Sequence, residues 1–214
     1  MKVKTFFIVM IAGIFVAHSS FAGGLFRSTR ISAKIGMMNQ AEASSSVSAA
    51  GTVKNSYEGK GAFGSVELGR HVAAGLWGDL SLGMHALEAK SEVNFWGETN
   101  HAVAIMPIML GLRTYIFHGL DTGFQPYFLA AGGPVIGMEA MQKVGLVTVN
   151  ESHTETTVGA ELGAGVNMLL TSWFSIDVSG GYMFMSDFST PLNGTENFGG
   201  WNASVGFSFF LGRQ

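Results

Sequence analysis

Cysteine is absent from the chain, which removes thiolate nucleophiles, disulfides and cysteine-ligated metals from consideration. Histidine is the next residue type to weigh. Beyond the first 22 residues it occurs as His71, His85, His101, His118 and His153. No two of these stand at H-x-H spacing on one strand face, so no metal-ligand motif is present. Asp79, Ser81 and His85 share one parity and could be read as an acid, nucleophile and base. Alternate residues of a strand lie about 7 Å apart, too far for direct hydrogen bonds between them. Ser152-His153 falls in a polar stretch. The expectation from these residues is a chain without catalytic residues, without a metal and without a cofactor.

The charged side chains are more informative. Arg30, Lys34, Glu67, Asp79, Arg113, Glu161 and Asp177 all fall at the polar positions of segments that alternate apolar and polar residues. Paired charges are the expected state of ions held away from water, because an unpaired one costs several kcal/mol. Arg113 is expected to bridge Glu161 and Asp177. A second group, Ile105, Met109, Met183 and Met185, gives apolar character to the same parity in two segments. It would suit a small hydrophobic ligand, or would seal the interior by packing.

Eight segments carry the period of two that defines half-buried strands. Residues 26–38 place Ile31, Ala33, Ile35 and Met37 against Arg30, Ser32, Lys34 and Gly36. Residues 61–70, 76–88, 101–117, 156–170, 173–185 and 200–212 repeat the pattern. The clearest case sets Val158, Ala160, Leu162, Ala164 and Val166 against Thr157, Gly159, Glu161, Gly163 and Gly165. In residues 124–137, Tyr127, Leu129, Ala131 and Val135 are assigned to the apolar face, although the opposite parity fits almost as well. Connections after even-numbered segments are short, near residues 70–75, 118–123 and 171–172. Those after odd-numbered segments are long and polar, near residues 39–60, 89–100, 138–155 and 186–199. Short turns at one end and long loops at the other mark outer-membrane barrels, with apolar residues facing lipid and polar or small ones facing the lumen. Trp77, Phe117, Phe124, Trp173 and Phe174 near the short turns, and Phe95, Trp96, Tyr182, Phe184 and Trp201 near the long loops, are expected to form two interfacial girdles.

The amino terminus reads as a cleaved export signal over residues 1–22, followed by the barrel over residues 23–214. Lys2 and Lys4 precede an apolar run of 11 residues, Phe6 to Val16, too short to span a bilayer as a helix. Ser20-Phe21-Ala22 then places small residues at the cleavage positions. Without the two signal lysines, 10 basic residues remain against 15 acidic ones, a net charge of −5. Nothing in that balance suggests a nucleic-acid surface.

The arrangement resembles the small eight-stranded outer-membrane proteins of the OmpA, OmpX and OmpW type. The last segment, Trp201-Asn202-Ala203-Ser204-Val205-Gly206-Phe207-Ser208-Phe209-Phe210, looks like the carboxy-terminal signal that such families present to the barrel-assembly machinery. Here Leu211-Gly212-Arg213-Gln214 follow, where the family usually ends on an aromatic residue. Gln125-Pro126-Tyr127-Phe128-Leu129-Ala130-Ala131-Gly132-Gly133-Pro134 is similar to a common fifth-strand sequence of these barrels. The resemblance implies an all-β, eight-stranded, antiparallel, up-and-down transmembrane barrel in the outer membrane. It also implies contact with lipid and lipopolysaccharide, and a porin-like class with structural, surface-contact or narrow-channel roles. A surface ligand for the long loops and an OmpW-like path for hydrophobic molecules are further implications. Lipid-A deacylases, an enzymatic branch of such barrels, carry a His-x-Ser pair and a Glu near the rim. In this chain Ser152-His153 stands in the opposite order.

Overall fold

Strands follow from the alternation, and the structure, a computed structural model, describes residues 29–40, 60–73, 75–94, 97–117, 123–144, 149–192 and 194–211. The export signal and the first long connection therefore lie outside the described residues. The strands are β1 (Thr29–Gln40), β2 (Lys60–Ala73), β3 (Leu76–Asn94), β4 (Gly97–Tyr115), β5 (Phe124–Val144), β6 (Val149–Leu169), β7 (Phe174–Met185) and β8 (Gly200–Leu211). Each pairs antiparallel with the next, and β8 pairs with β1 to close an eight-stranded barrel. Closure satisfies the backbone of both outer strands, the condition for a sheet to stand in lipid.

Register carries the period of two around the wall. Ile31 lies opposite Leu68 on β2, and Ala33 lies opposite Val66 on β2 and Phe207 on β8. The outward set is apolar and exposed: Ile35, Met37, Leu82, Leu110, Phe128, Leu162, Phe207 and others. The inward set includes Arg30, Ser32, Lys34, Glu67, Asp79, Arg113, Asn167 and Asp177, all buried. The usual polar-out arrangement is inverted along the first half of β1, where Arg30, Ser32 and Lys34 alternate with exposed Ile31, Ala33 and Ile35.

Two turns at one end are built from small local devices. Gly75, between β2 and β3, adopts φ 72°, a left-handed conformation that a side chain disfavours. After β6, Thr171 Oγ1 accepts the Phe174 N–H at 3.0 Å, and the Leu170 N–H donates to the Phe174 carbonyl at 3.0 Å.

Four expectations need correction. The connections expected near residues 89–100 and 138–155 are not irregular loops. β3 and β4 continue to Asn94 and Gly97, and β5 and β6 to Val144 and Val149, as paired hairpins. β5 and β6 each run 21 residues. A transmembrane strand needs about 9–11, so these hairpins extend far past what a bilayer could cover. Their sequences lack the sustained apolar–polar alternation found along the rest of the strands.

The parity of β5 is the second correction. Tyr127 and Val135 are buried inside, while Phe128 is exposed outside. Both faces of this strand are apolar or small, so hydrophobicity alone left the choice open. Trp77 is the third. It shares the inward parity of Asp79 and meets Tyr115 and Phe210 edge-on, with the Arg30 guanidinium over its ring at 5.8 Å. Ile108 is the fourth: it has outward parity but is buried. The β4–β5 ladder is interrupted there, opposite Gly133-Pro134, where proline has no N–H to give. Of the expected girdle residues, Phe117, Phe124, Trp173, Phe184 and Trp201 are exposed. Phe95 and Trp96 lie outside the described residues.

Candidate functional site in the barrel interior

The interior divides into two halves. The half near the short turns is ionic. Arg30 Nη2 meets Asp79 Oδ1 at 2.8 Å and Glu67 Oε2 at 3.4 Å. Arg113 donates from Nε to Asp79 Oδ2 at 2.8 Å and from Nη2 to Glu67 Oε2 at 2.6 Å, with Nη1 3.5 Å from Asp177 Oδ2. Lys34 Nζ lies 3.0 Å from Glu67 and 2.9 Å from Asp177. Each of the three carboxylates thus meets at least two cations, and each cation at least two carboxylates. Arg113 stands on β4 and reaches acids on β2, β3 and β7, so the cluster spans the bore.

Tyrosines and amides complete the layer. Tyr127 donates its hydroxyl to Asp177 at 3.0 Å, and its ring lies 4.1 Å beneath the Arg113 guanidinium carbon. Tyr115 accepts from Arg30 at 2.8 Å and from Asn167 at 2.5 Å, and Ser175 donates to Asn167 at 3.2 Å. Glycines make room for these groups. A Cβ on Gly69 would fall 2.5 Å from Asp79 Oδ1, and one on Gly165 would fall 2.6 Å from the Tyr127 hydroxyl. Sequence reasoning placed Tyr127 on the wrong face. Its hydroxyl, which needs a partner when buried, was the available signal.

Six of the seven expected lumen charges are gathered here. Glu161 is the exception. It accepts from Asn202 Nδ2 at 3.0 Å rather than meeting Arg113. Arg113 instead takes Glu67 and Asp79 in addition to Asp177. The expected Arg113–Glu161 bridge is therefore replaced by one to earlier strands, because Glu161 stands higher along β6, opposite Met183.

The half near the hairpins and the β7–β8 loop is apolar. Ile105, Met109 and Met183 are buried with Met38, Val103 and Val135, and Met185 packs against them. The β7–β8 loop adds Phe188, Leu192 and Phe198 to this cluster. Between the two halves lies a cavity of about 50 Å³, lined by Lys34, Glu67, His85, Met109, Glu161 and Asn202 among others. That volume accommodates a few waters, at roughly 10–15 Å³ each, and polar partners surround it. His85 borders this cavity but turns Nδ1 to Met38 Sδ at 3.0 Å and stacks on Phe63 at 4.9 Å. Asp79 is occupied by two guanidinium groups. Asp79 and His85 are thus each engaged with other partners, and no cluster of three His, Cys, Asp or Glu suited to a metal exists among the described residues.

Solved structures of similar arrangement include the N-terminal barrel of Pseudomonas aeruginosa OprF, at 15% identity, covering 86% of this chain and 98% of that one, with a TM-score of 0.45. The Yersinia pestis attachment invasion locus protein Ail gives 12% identity, 86% and 97% coverage and a TM-score of 0.49. Neisserial surface protein A gives 12% identity, 86% and 96% coverage and a TM-score of 0.49. No family model and no curated protein sequence matches the chain. The eight-stranded architecture stands on the strand pairing of this chain itself.

Proposed function

We propose that this chain is an outer-membrane β-barrel, closed to ions, that presents its long hairpins at the cell surface. The observation that carries the reading is the inverted distribution of side chains. Ile35, Met37 and Phe207 are exposed at 70%, 68% and 55%, whereas Arg30, Arg113 and Asp177 are at 0%. Soluble monomers rarely expose continuous apolar surface beyond a few hundred Å², and lipid is the solvent that would cover such a band. The ionic layer across the bore supports a structural or surface-contact role rather than a porin-like current.

Lipid and lipopolysaccharide would be the contacts of the wall, the assembly machinery would engage β8, and a surface ligand would meet the hairpins. Planar-bilayer recording of the purified protein tests the proposal. The expected record is silent at moderate voltage, and steady single-channel currents would refute the closed reading. A second reading, a path for small hydrophobic molecules, draws support from the apolar outer half containing Ile105, Met109, Met183 and Met185. Uptake of an uncharged apolar dye into protein-bearing vesicles separates it from the first.

A further inference from the structure

The loop of residues 186–199 is folded rather than merely crossing between two strands. Leu192 and Thr195 exchange backbone hydrogen bonds at 2.9 and 3.0 Å around Gly194, which has φ 80°. The Phe188 N–H donates to the Glu196 carbonyl at 2.8 Å, which closes the small hairpin. At its base Asn197 donates from Nδ2 to the Met185 carbonyl at 2.7 Å and to Asp187 Oδ1 at 2.9 Å, and accepts from the Gly199 N–H at 2.8 Å. Thr157 on β6 donates to the Ser186 carbonyl at 3.1 Å.

Its apolar residues point one way. Phe188, Leu192 and Phe198 are almost fully buried, while Ser189, Thr190, Pro191 and Glu196 beside them are exposed. The wall has a seat for them. A Cβ on Gly137 of β5 would overlap Leu192 and come within 2.7 Å of the Phe188 ring. Their neighbours are Met38, Val103, Ile105, Met109, Val135 and Met183. These are aliphatic or thioether groups, with Phe63 packed against the same cluster, and they hold the loop by apolar contact. The hydrogen bonds that fix it sit at its base.

We infer that this loop is a removable stopper: the outer half of the bore is closed by three side chains of one loop, and the wall around it stands open once they leave. The barrel ladder is complete without the loop, since β7 and β8 pair directly from Phe174 through Met183. Withdrawal would uncover an apolar vestibule ending at the small cavity and the ionic layer. The closure lies within the molecule's own interior and does not depend on how the barrel is oriented.

The absence of cysteine allows a direct test on the purified, folded protein in detergent micelles. Val103→Cys places a thiol on the wall behind the stopper, and Thr190→Cys places one on the exposed side of the loop. With N-ethylmaleimide, the thiol at 103 should react at least about tenfold more slowly than that at 190, as expected for a site reached only by local opening. Adding Asn197→Ala removes the base hydrogen bonds and should accelerate the reaction at 103 about tenfold. Replacing Phe188, Leu192 and Phe198 together by serine should bring it close to the rate at 190. Folded state is checked in every variant by the heat-dependent shift in gel mobility, and only folded material is compared. Equal rates at 103 and 190 in the otherwise unchanged protein would show that nothing is seated. Continued protection of 103 after the triple change would show that the wall itself closes the bore. An unchanged rate with Asn197→Ala would show that the base does not hold the loop. Any of these results overturns the inference.

Discussion

Arg113 is the side chain on which the ionic layer turns. It meets Asp79, Glu67 and Asp177 from full burial. Removing one member of such a group leaves the others charged and without compensation. Arg113→Ala should lower unfolding stability in lipid by about 3–5 kcal/mol. Urea titration followed by tryptophan fluorescence measures this, and loss below about 1 kcal/mol, the range of exposed pairs, would mean the cluster is solvated. Asp79→Ala in the same background should recover part of the loss. The seven charged positions were legible in the sequence because each fell on the polar parity. Their partners were not: alternation gives the face of a residue but not its height on a tilted strand, and so Glu161 was matched with an arginine it does not meet. The outward face gives a complementary test. Leu162→Arg and Val178→Arg should each cost about 2–4 kcal/mol near the bilayer midplane. The inward Ser81→Ala should be mild by comparison, and equal effects would place the apolar face away from lipid.

At the scale of elements, the seam between β1 and β8 is tight at three glycines, Gly36, Gly200 and Gly206. A Cβ on Gly36 would overlap the Ala203 carbonyl, and one on Gly206 would overlap the Ala33 carbonyl. Gly36→Ala or Gly206→Ala should therefore destabilise closure by about 1–3 kcal/mol, the usual cost of overpacking. Gly64→Ala is the control, because its Cβ would lie 3.7 Å from the nearest atom, the Lys34 carbonyl oxygen. The fraction of protein migrating as the folded species reports the difference, and similar losses at all three positions would reject the steric account. Strand identity was readable wherever one face is apolar and the other small or polar, as in β6 around Leu162 and Gly163. It failed in β5, where Tyr127 and Phe128 are both large aromatic residues. It failed again in the hairpins, where residues such as Asn150, Glu151 and Ser152 offer no contrast between faces. In the loop after β7 the legible signal is Gly194, a turn residue between apolar Phe188 and Phe198.

For the molecule as a whole, the proposed membrane setting predicts an orientation from the unequal ends. The short turns would face the periplasm and the hairpins the exterior. Cysteines introduced at Gly97 and Thr190 should be labelled in intact cells by a membrane-impermeant reagent, and one at Ser172 should not. Labelling at Ser172 alone would reverse the orientation. The closed eight-stranded fold could be read from the alternation and the spacing of the turns. The layered interior could not, because it arises from contacts among strands far apart in the chain.

The joining of β1 to β8 has a consequence for the order of assembly. Ser32 and Ser208 hydrogen-bond at 2.8 Å across 176 residues of chain, whereas every other seam unites consecutive strands. Seven pairings can thus grow by local zippering, and the eighth must gather the two extremities. Loop-closure entropy and contact order make that encounter the slow event. Until it happens, both terminal strands carry bare edges open to wrong partners. Folding time should accordingly be governed by the last union of the chain's ends rather than by any hairpin.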